Sequence, residues 1–180
     1  MGPGFAVWIT GLPASGKSTL ASALKEELES RGVHVAVLES DALRKVLTPD
    51  PRYDASERDI FYGAVAHMGK LLTDHGVPVI FDATANRRIY RDRARRAIAM
   101  FLEVLVDCPL SVCIARDPKG IYRKGREGIA SEVPGLQEEY EPPERPDIVV
   151  KSDAEAPDRA ARRIVNRLVE KGYLEGVTTS

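Results

Sequence analysis

A glycine-rich stretch near the start of the chain has the residue types and spacing that bind a nucleoside triphosphate. Residues 11–18 read Gly-Leu-Pro-Ala-Ser-Gly-Lys-Ser and fit the pattern G-x-x-x-x-G-K-[ST]. Glycines let backbone N–H groups converge on phosphate oxygens, and a helix that starts there adds positive potential. We therefore predict that ATP is bound by Gly11, Leu12, Pro13, Ala14, Ser15, Gly16, Lys17, Ser18 and Thr19.

Two side chains of this loop have predicted chemical roles. Lys17 should reach the terminal phosphates and neutralise the phosphoryl group during transfer, and Ser18 should be a ligand of Mg²⁺. Glu39 or Asp82 could supply a further Mg²⁺ ligand through water, and the sequence does not choose between them. ATP and Mg²⁺ are thus the expected nucleotide and metal.

An acidic segment follows the second predicted strand and ends in an arginine. Glu39-Ser40-Asp41 is followed by Arg44, and in a doubly wound sheet this segment lies at the carboxyl ends of the strands, beside the phosphate-binding loop. A carboxylate there can orient a substrate hydroxyl and accept its proton, and an arginine can hold an anionic group. We predict Asp41 as the catalytic base and Arg44 as a substrate ligand. The alternative is that Asp41 caps the helix that it begins.

Alternating apolar runs and helical patterns determine where these groups are held. Near-continuous apolar strands separated by helices are typical of a parallel sheet buried on both faces. We predict an α/β fold with a doubly wound, parallel, five-stranded sheet flanked by helices. The predicted strands are 5–9, 33–38, 77–81, 102–106 and 148–150. The predicted helices begin at Lys17 and otherwise cover 55–74, 89–100, 109–116 and 156–171.

A long stretch without clean periodicity, residues 117–146, interrupts this pattern and is rich in glycine, proline and charge. Irregular segments of this length in compact domains are usually functional. Its basic residues could close over polyphosphate and exclude water. We predict a mobile lid, and the alternative is a solvated basic loop. The cationic residues predicted to act in this lid are Arg116 at the border and Lys119, Arg123, Lys124 and Arg126 within it.

The composition limits the classes of protein. The chain has 180 residues, 43% of them apolar and 29% charged, which suits one folded domain over 1–180. A net charge of -1 excludes a globally basic nucleic-acid binder, and the chain lacks the run of about 18 apolar residues that predicts a membrane span. We expect a cytoplasmic protein without nucleic-acid or membrane partners. Cys108 and Cys113 are its only cysteines and are predicted to be core thiols.

A group of arginines at helical spacing has two interpretations. One is a solvated helix face whose arginines pair with acidic residues, and the other is a cationic collar for an anionic substrate. Both stay open at this point. The residues are Arg87, Arg88, Arg91, Arg93, Arg95 and Arg96.

Four segments together resemble the adenylylsulfate (APS) kinase family. They are the loop and helix start at 11–21, the acidic segment at 39–44, the stretch 116–126 and the segment 139–143. Residues 116–122, which read Arg-Asp-Pro-Lys-Gly-Ile-Tyr, are the most specific, because no general feature of a phosphate-binding loop requires them. The likeness extends over most of the chain.

This resemblance implies a P-loop kinase of the nucleoside-monophosphate-kinase-like fold. Its implied activity is transfer of the γ-phosphate of ATP to the 3'-hydroxyl of adenylylsulfate, a step of sulfate assimilation. The resemblance also implies that Tyr53 stacks on the acceptor's adenine, and that Arg58 and Lys119 bind the acceptor. APS kinases are commonly dimeric, so a homodimer is a further expectation.

Several positions depart from the family pattern on the acceptor side. Val133 stands where a second aromatic ring is expected, Phe61 where the family has asparagine, and Ala64 where it has arginine. A thinner aromatic sandwich would weaken the binding of an adenine nucleotide. The kinase could therefore use another small anionic hydroxyl compound, such as a different nucleotide conjugate or a metabolite.

The segment after the third strand departs as well. Where the family has Phe-Ile-Ser-Pro, residues 81–84 read Phe-Asp-Ala-Thr, so that Ala83 replaces a serine and Asp82 is an added carboxylate. Asp82 could contact Mg²⁺ through water or bind a substrate hydroxyl; the alternative is a helix cap or an ion pair with the following arginines. Residues 82–88 also resemble the corresponding stretch of polynucleotide-kinase-like and toxin-like kinases, against which the net charge argues.

Overall fold

The computed structural model describes residues 2–175, which alternate between strands and helices. The strands are β1 (Ala6–Thr10), β2 (Ala36–Glu39), β3 (Val79–Asp82), β4 (Phe101–Asp107) and β5 (Ile148–Lys151). The helices are α1 (Lys17–Glu29), α2 (Ser40–Leu47), α3 (Ala55–Asp74), α4 (Arg88–Ala97), α5 (Leu110–Arg116), α6 (Ile121–Arg126) and α7 (Pro157–Glu170).

The strands form one parallel sheet in the order β2-β3-β1-β4-β5. This confirms the predicted five-stranded, doubly wound sheet. Strand β1 is central and leads directly into the phosphate-binding loop. Its neighbour β3 places Asp82 opposite Ile9, and β2 places Glu39 opposite Asp82. The residues at the ends of these three strands therefore meet at one edge of the sheet.

Helices bury both faces of the sheet, as its apolar strands predict. Helices α1 and α7 pack against one face, and α3 and α4 pack against the other. Within the second core, Trp8 stacks on Phe81 with 4.4 Å between ring centroids. Helix α3 comes so close to β3 that a Cβ atom on Gly69 would lie 2.1 Å from the Phe81 ring. A larger residue at 69 would push α3 away from the sheet.

Some predicted boundaries were wrong by a few residues. Strand β2 begins at Ala36 rather than 33, because the N–H of Val33 donates to Leu28 as part of the turn after α1, whereas that of Ala36 donates to Pro78 in the neighbouring segment. Helix α4 ends at Ala97 rather than 100, because the chain becomes extended at the next residue. These shifts leave the order of elements unchanged.

Two short helices are additions to the predicted elements. Helix α2 starts at Ser40, directly after β2, and α6 lies inside the segment 117–146 that was predicted to be irregular. Helix α6 has only six residues, and Gly125 and three charged side chains hide its apolar period. A short helix of this composition leaves no clear pattern in the sequence.

Four arginines of α4 pair with acidic residues, so the collar interpretation is wrong for those four. Arg88 pairs with Glu141 and Glu144. Arg93 pairs with Asp59 at the surface, and Arg95 pairs with Glu103. Arg91 differs from a solvated residue, since it is fully buried and donates to Glu103 and to the carbonyls of Ala85 and Glu141. Its partner Glu103 lies on the buried strand β4, which explains why a charged residue is accepted there.

The two cysteines are buried and do not form a disulfide, which confirms that they are core thiols. Burial and, to a smaller extent, the neighbouring Cys108 together raise the pKa of the Cys113 thiol to about 12. A thiol with so high a pKa is a poor nucleophile. Among residues 2–175, no helix combines the length and the apolar composition needed to cross a membrane.

Candidate active site

A cavity of about 830 Å³ opens at the carboxyl ends of the central strands. Its walls come from the phosphate-binding loop, α2, residues 51–58, the segment after β3, residues 116–134 and the connection between β5 and α7. Ligands of open α/β sheets bind at this edge, and cavities of this size hold nucleotide-sized molecules. Most residues that the sequence predicts to bind nucleotide or acceptor line it.

The phosphate-binding loop wraps the start of α1. Gly11 has to be glycine, because a Cβ atom there would lie 2.6 Å from the Val106 carbonyl on β4. Gly16 adopts a left-handed conformation, with φ 102°, at the N-cap of α1. The predicted loop residues divide into two groups. Those lining the cavity are Pro13, Ala14, Gly16, Lys17, Ser18 and Thr19, whereas Gly11, Leu12 and Ser15 do not line it.

Lys17 is the cation closest to the expected phosphate position. Its Nζ donates to the carbonyl of Leu12 at 2.8 Å, which folds the side chain back over its own loop. Burial lowers the pKa of Lys17 to about 8, and the negative charges of Asp82 and Asp41 oppose that change. Lys17 is therefore charged at neutral pH and is poised to lose its proton only slightly above it.

The predicted base lies opposite the lid. Asp41 is in the first turn of α2, and its carboxylate accepts from Nζ of Lys119 at 2.5 Å. Both side chains are about half exposed, 54% each, so they can separate when a ligand enters. The helix cap alternative is wrong, because Glu39 and not Asp41 occupies the N-cap position of α2. The hydrogen bond with Asp41 raises the pKa of Lys119.

Arg44 is held at the acceptor end by an acid and by aromatic rings. Its Nη1 donates to Glu57 at 3.1 Å, and its guanidinium lies 4.0 Å from the centre of the Phe61 ring and 4.8 Å from that of Tyr53. Stacking of this kind orients an arginine. Phe61, which departs from the family's asparagine, is therefore the support under Arg44. Only Nη1 of Arg44 donates to another described residue, so its remaining N–H groups stay open for a ligand.

Arg58, a predicted substrate ligand, also binds three separate parts of the protein. Its three nitrogens donate to the carbonyl of Tyr53 at 2.6 Å, to Oδ1 of Asn86 at 2.7 Å and to the carbonyl of Glu132 at 2.8 Å. It lines the cavity, and these three bonds use three of its five N–H groups. Arg58 thus joins α3, the segment after β3 and the lid, and the sequence cannot show this because the partners lie far apart in the chain.

Backbone strain is concentrated around the cavity. Among residues 2–175, the non-glycine residues with positive φ are Ala14, Tyr53, Ala85 and Glu132. Tyr53 and Glu132, at φ 60° and 62°, are the two whose carbonyls accept from Arg58. Left-handed conformations of such residues persist where the surrounding structure holds them, and they cluster at functional sites. Arg58 supplies that restraint at the acceptor end.

Asp82 ends β3 with its side chain in the cavity wall. It is 4% exposed, and it makes no side-chain hydrogen bond or ion pair with another residue of 2–175. The two alternatives, a helix cap and an ion pair with the following arginines, are therefore wrong. The N-cap of α4 is Arg87, and Arg91 and Arg95 pair with Glu103. Ala83 is buried beside it, and Thr84 lines the cavity.

The lid joins the phosphate-binding loop through its own small core. The hydroxyl of Tyr122 on α6 donates to the carbonyl of Pro13 at 3.0 Å. Val133 is buried in this core against Tyr122 and Cys113, so it supports the lid and offers no aromatic face to a ligand. Burial raises the pKa of Tyr122, which keeps this donor protonated.

The lid's cationic residues separate into two sets. Arg116 and Lys124 line the cavity, as does Lys119. Arg123 and Arg126 were predicted to face it and do not, because Tyr122 and Gly125 occupy the inner side of α6 and turn those two outward. Helical spacing could have separated these sets if α6 had been recognised.

Several residues of the cavity were not predicted. Ser152, after β5, accepts from Nη1 of Arg116 and donates to the carbonyl of Ser15, so it anchors the lid border to the phosphate-binding loop. Asn86 fixes Arg58 and donates to the carbonyl of Glu139 at 3.1 Å. The sequence offers only one signal for them, the polar residues that follow the predicted ends of β3 and β5.

Comparison with known proteins agrees with this geometry. A family model described as adenylylsulphate kinase matches residues 3–151. The adenylyl-sulfate kinase of Synechococcus sp. (strain JA-3-3Ab) is 36% identical over 172 residues, which cover 96% of this chain and 98% of that protein. The adenylyl-sulfate kinase of Microcystis aeruginosa is 37% identical over 171 residues, which cover 95% and 94%.

Solved structures give the same result. The APS kinase CysC of Mycobacterium tuberculosis, in complex with AMPPNP and APS, is similar with a TM-score of 0.88 and 32% identity, over 93% of this chain and 99% of that one. Shikimate kinase from Aquifex aeolicus has a TM-score of 0.58 at 17% identity, over 96% and 100%, and shares the fold alone.

Proposed function

The chain belongs to the adenylylsulfate kinase family of ATP-dependent kinases, and we propose that it transfers the γ-phosphate of ATP to the 3'-hydroxyl of adenylylsulfate. One observation carries this proposal. The predicted base Asp41 and the lid residue Lys119 meet over the same cavity that Lys17 enters from the phosphate-binding loop. A hydroxyl placed between them would have a proton acceptor on one side and two cations for the phosphoryl group on the other.

The phosphoryl transfer follows from these positions. The 3'-oxygen of the acceptor forms a bond to the γ-phosphorus, and the bond from that phosphorus to the β–γ bridging oxygen breaks, so that ADP leaves with the electron pair. The hydroxyl proton passes to the Asp41 carboxylate and then to solvent. Lys119 has to leave Asp41 before the hydroxyl can approach, which brings its ammonium group toward the phosphates. Because the transition state is loose, Asp41 contributes chiefly by orienting the hydroxyl.

The residues around Lys17 fit a magnesium ion. Ser18 and the carboxylates of Glu39 and Asp82 line the cavity, and hard oxygen ligands of this kind suit Mg²⁺. Ser18 would hold the ion directly, with Glu39 or Asp82 acting through water. The bound ion would neutralise negative charge on the β- and γ-phosphates.

The two ends of the acceptor site would bind different parts of adenylylsulfate. Tyr53 is a partly exposed ring at the cavity wall and is available for stacking on adenine. Arg44, with open N–H groups over the Phe61 ring, would bind the anionic part. Arg58 would act on the acceptor indirectly, since it holds the Tyr53 backbone.

One observation favours a second acceptor. Val133 is buried in the lid core and leaves one face of an adenine without an aromatic partner. A related anionic compound with a free hydroxyl and no adenine would lose less binding energy from this change than adenylylsulfate would. The cytoplasmic location and the homodimer predicted from the sequence stay predictions.

Acceptor-dependent release of ADP tests the proposal. Purified protein with Mg-ATP should release ADP rapidly with adenylylsulfate and only slowly in a blank without acceptor. A panel of other anionic hydroxyl compounds runs in parallel. Turnover confined to another member of that panel would replace adenylylsulfate as the substrate, and no turnover with any acceptor would overturn the kinase assignment.

A further inference from the structure

We propose that Asp82 is the carboxylate that binds the Mg²⁺ of the bound nucleotide, through a coordinated water, together with Ser18. This inference rests on the proposed use of Mg-ATP and adds a metal-binding residue that the family's Phe-Ile-Ser-Pro segment lacks, because isoleucine occupies the corresponding position there. Of the two carboxylates that the sequence left open, the structure favours Asp82 over Glu39.

The burial of Asp82 is the first argument. Its side chain is 4% exposed and has neither a hydrogen bond nor an ion pair with any residue of 2–175. A carboxylate that is almost fully enclosed and has no protein partner is costly to ionise, so such a group is normally paired or bound to a metal. Asp82 lines the cavity, and its oxygens are not among the fully buried, unpartnered atoms of residues 2–175, so they are accessible to a ligand there.

The position of Asp82 in the sheet is the second argument. Strand β3 lies next to β1, and Asp82 is opposite Ile9, two residues before the phosphate-binding loop. The charge of Asp82 also acts on Lys17 more strongly than any other charge does. Phosphate oxygens held by this loop would therefore lie close to Asp82. In P-loop proteins generally, an aspartate and the loop's serine or threonine hold Mg²⁺ between them.

Glu39 fits this role less well. It lies on β2, one strand further from the phosphate-binding loop, and its side chain is only partly buried. Asp82 lies on the strand next to β1 and is therefore the nearer of the two carboxylates to the phosphate-binding loop.

The ion should bind only with the nucleotide. Residues 2–175 contain no group of three or more acidic, histidine or cysteine side chains that could hold a metal ion by themselves. Mg²⁺ commonly takes one or two carboxylates, several waters and phosphate oxygens from the substrate. Asp82 then matters for the ternary complex and not for binding of the nucleotide alone.

Calorimetric titration with AMPPNP, in Mg²⁺ and separately in EDTA, tests this assignment. We expect Mg²⁺ to tighten the binding of AMPPNP to the wild type. In Asp82→Asn this gain in affinity should be about 10–100-fold smaller, which is the usual cost of removing an outer-shell ligand. In EDTA the variant should bind AMPPNP as well as the wild type or better, since a negative charge near the phosphates is gone. The matched control is Asp92→Asn on α4, outside the cavity, which should behave as the wild type.

A second variant, Asp82→Ile, controls for misfolding. Isoleucine is the residue that the family segment has at this position, and it suits an almost fully buried side chain. This variant should show the same loss as Asp82→Asn. A gain from Mg²⁺ in both variants equal to that of the wild type would overturn the proposal. No acceptor is present in this experiment, so its result is independent of whether adenylylsulfate is the substrate. Failure of the proposed function would appear only in the ADP release assay.

Discussion

The two ends of the cavity are built in different ways. The nucleotide end comes from consecutive residues, 11–19, whose backbone is fixed by close approach to β4 and by the start of α1. The acceptor end comes from separate parts of the chain, which are joined by long-range contacts such as those of Arg44 and Arg58. A short motif can therefore preserve ATP binding, whereas acceptor binding depends on several long-range contacts at once.

This difference explains where the chain departs from its family. The family pattern of the phosphate-binding loop is Gly-Leu-x-Gly-Ser-Gly-Lys-Ser, and the chain departs from it only at Ala14, which stands in place of a glycine and has a positive φ of 60°. At the acceptor end, Phe61 now supports Arg44, and Val133 has become part of the lid core. Substitutions at that end are compatible with the fold because each new side chain is buried in a packed environment. The acceptor end is the part of the site in which specificity can change.

The largest expected effect on turnover comes from Asp41, which lies between the nucleotide end and the acceptor end of the cavity. Asp41→Asn should lower kcat by about 10²–10⁴-fold, because the hydroxyl loses its charged acceptor. Binding of AMPPNP should stay within about twofold of the wild type, since removal of a general base does not touch the ground-state phosphate contacts. Steady-state kinetics and calorimetry measure the two quantities. Near-normal turnover in this variant would mean that Asp41 does not contact the reacting hydroxyl.

A substitution of Arg58 should impair the acceptor end of the cavity and leave the nucleotide end unchanged. Arg58→Lys cannot satisfy three acceptors in a fixed fork, and each lost charged hydrogen bond is worth about 1.5–3 kcal/mol. We expect the KM for adenylylsulfate to rise at least about tenfold, with the KM for ATP nearly constant. Arg93→Lys, whose partner Asp59 lies at the surface, is the matched control. Equal increases in both KM values would mean that the ends are not independent.

A pH profile should report on the nucleotide end alone. Because burial lowers the pKa of Lys17 to about 8, this group is charged below pH 8 and neutral above it. The value of kcat/KM for ATP should therefore fall as the pH rises through about 8. Asp82→Asn removes the largest opposing charge and should move that fall to lower pH. A profile that stays flat to pH 10 would show that Lys17 keeps its ordinary pKa.

The smallest expected effect concerns Ala14. Replacement by glycine relieves the left-handed conformation but increases the entropy lost on folding, so Ala14→Gly should change the free energy of unfolding by less than about 1 kcal/mol. Nucleotide affinity should also change little. Thermal unfolding with and without AMPPNP measures both. A large gain in stability would show that the loop stores more strain than its backbone angle indicates.

The sequence predicted the nucleotide end well, because its information is local. The spacing from Gly11 to Ser18, an apolar strand before it and a helix after it were sufficient to place the loop. The sheet was predictable for a similar reason, since every strand is a short apolar run.

The acceptor end was predicted less well. Arg58 was expected to bind the acceptor, but its three partners lie 5, 28 and 74 residues away in the chain. Such contacts are set by tertiary packing and leave no periodic signal. The outward direction of Arg123 required knowledge of α6, a helix too short to recognise from its pattern. Asp82 stood out in the sequence, but only the structure, in which Arg87 is the N-cap of α4, excludes the helix cap.

Phosphorus NMR of the reaction mixture tests the central claim most directly. Adenylylsulfate and Mg-ATP are incubated with the wild type and, separately, with Asp41→Asn. The account predicts that the wild type forms ADP and a new phosphomonoester resonance, coupled to the 3'-proton of the ribose, in equal amounts, and that the variant forms neither at a comparable rate. ADP accompanied only by free phosphate would contradict the account, because ATP would then be hydrolysed without transfer to the acceptor.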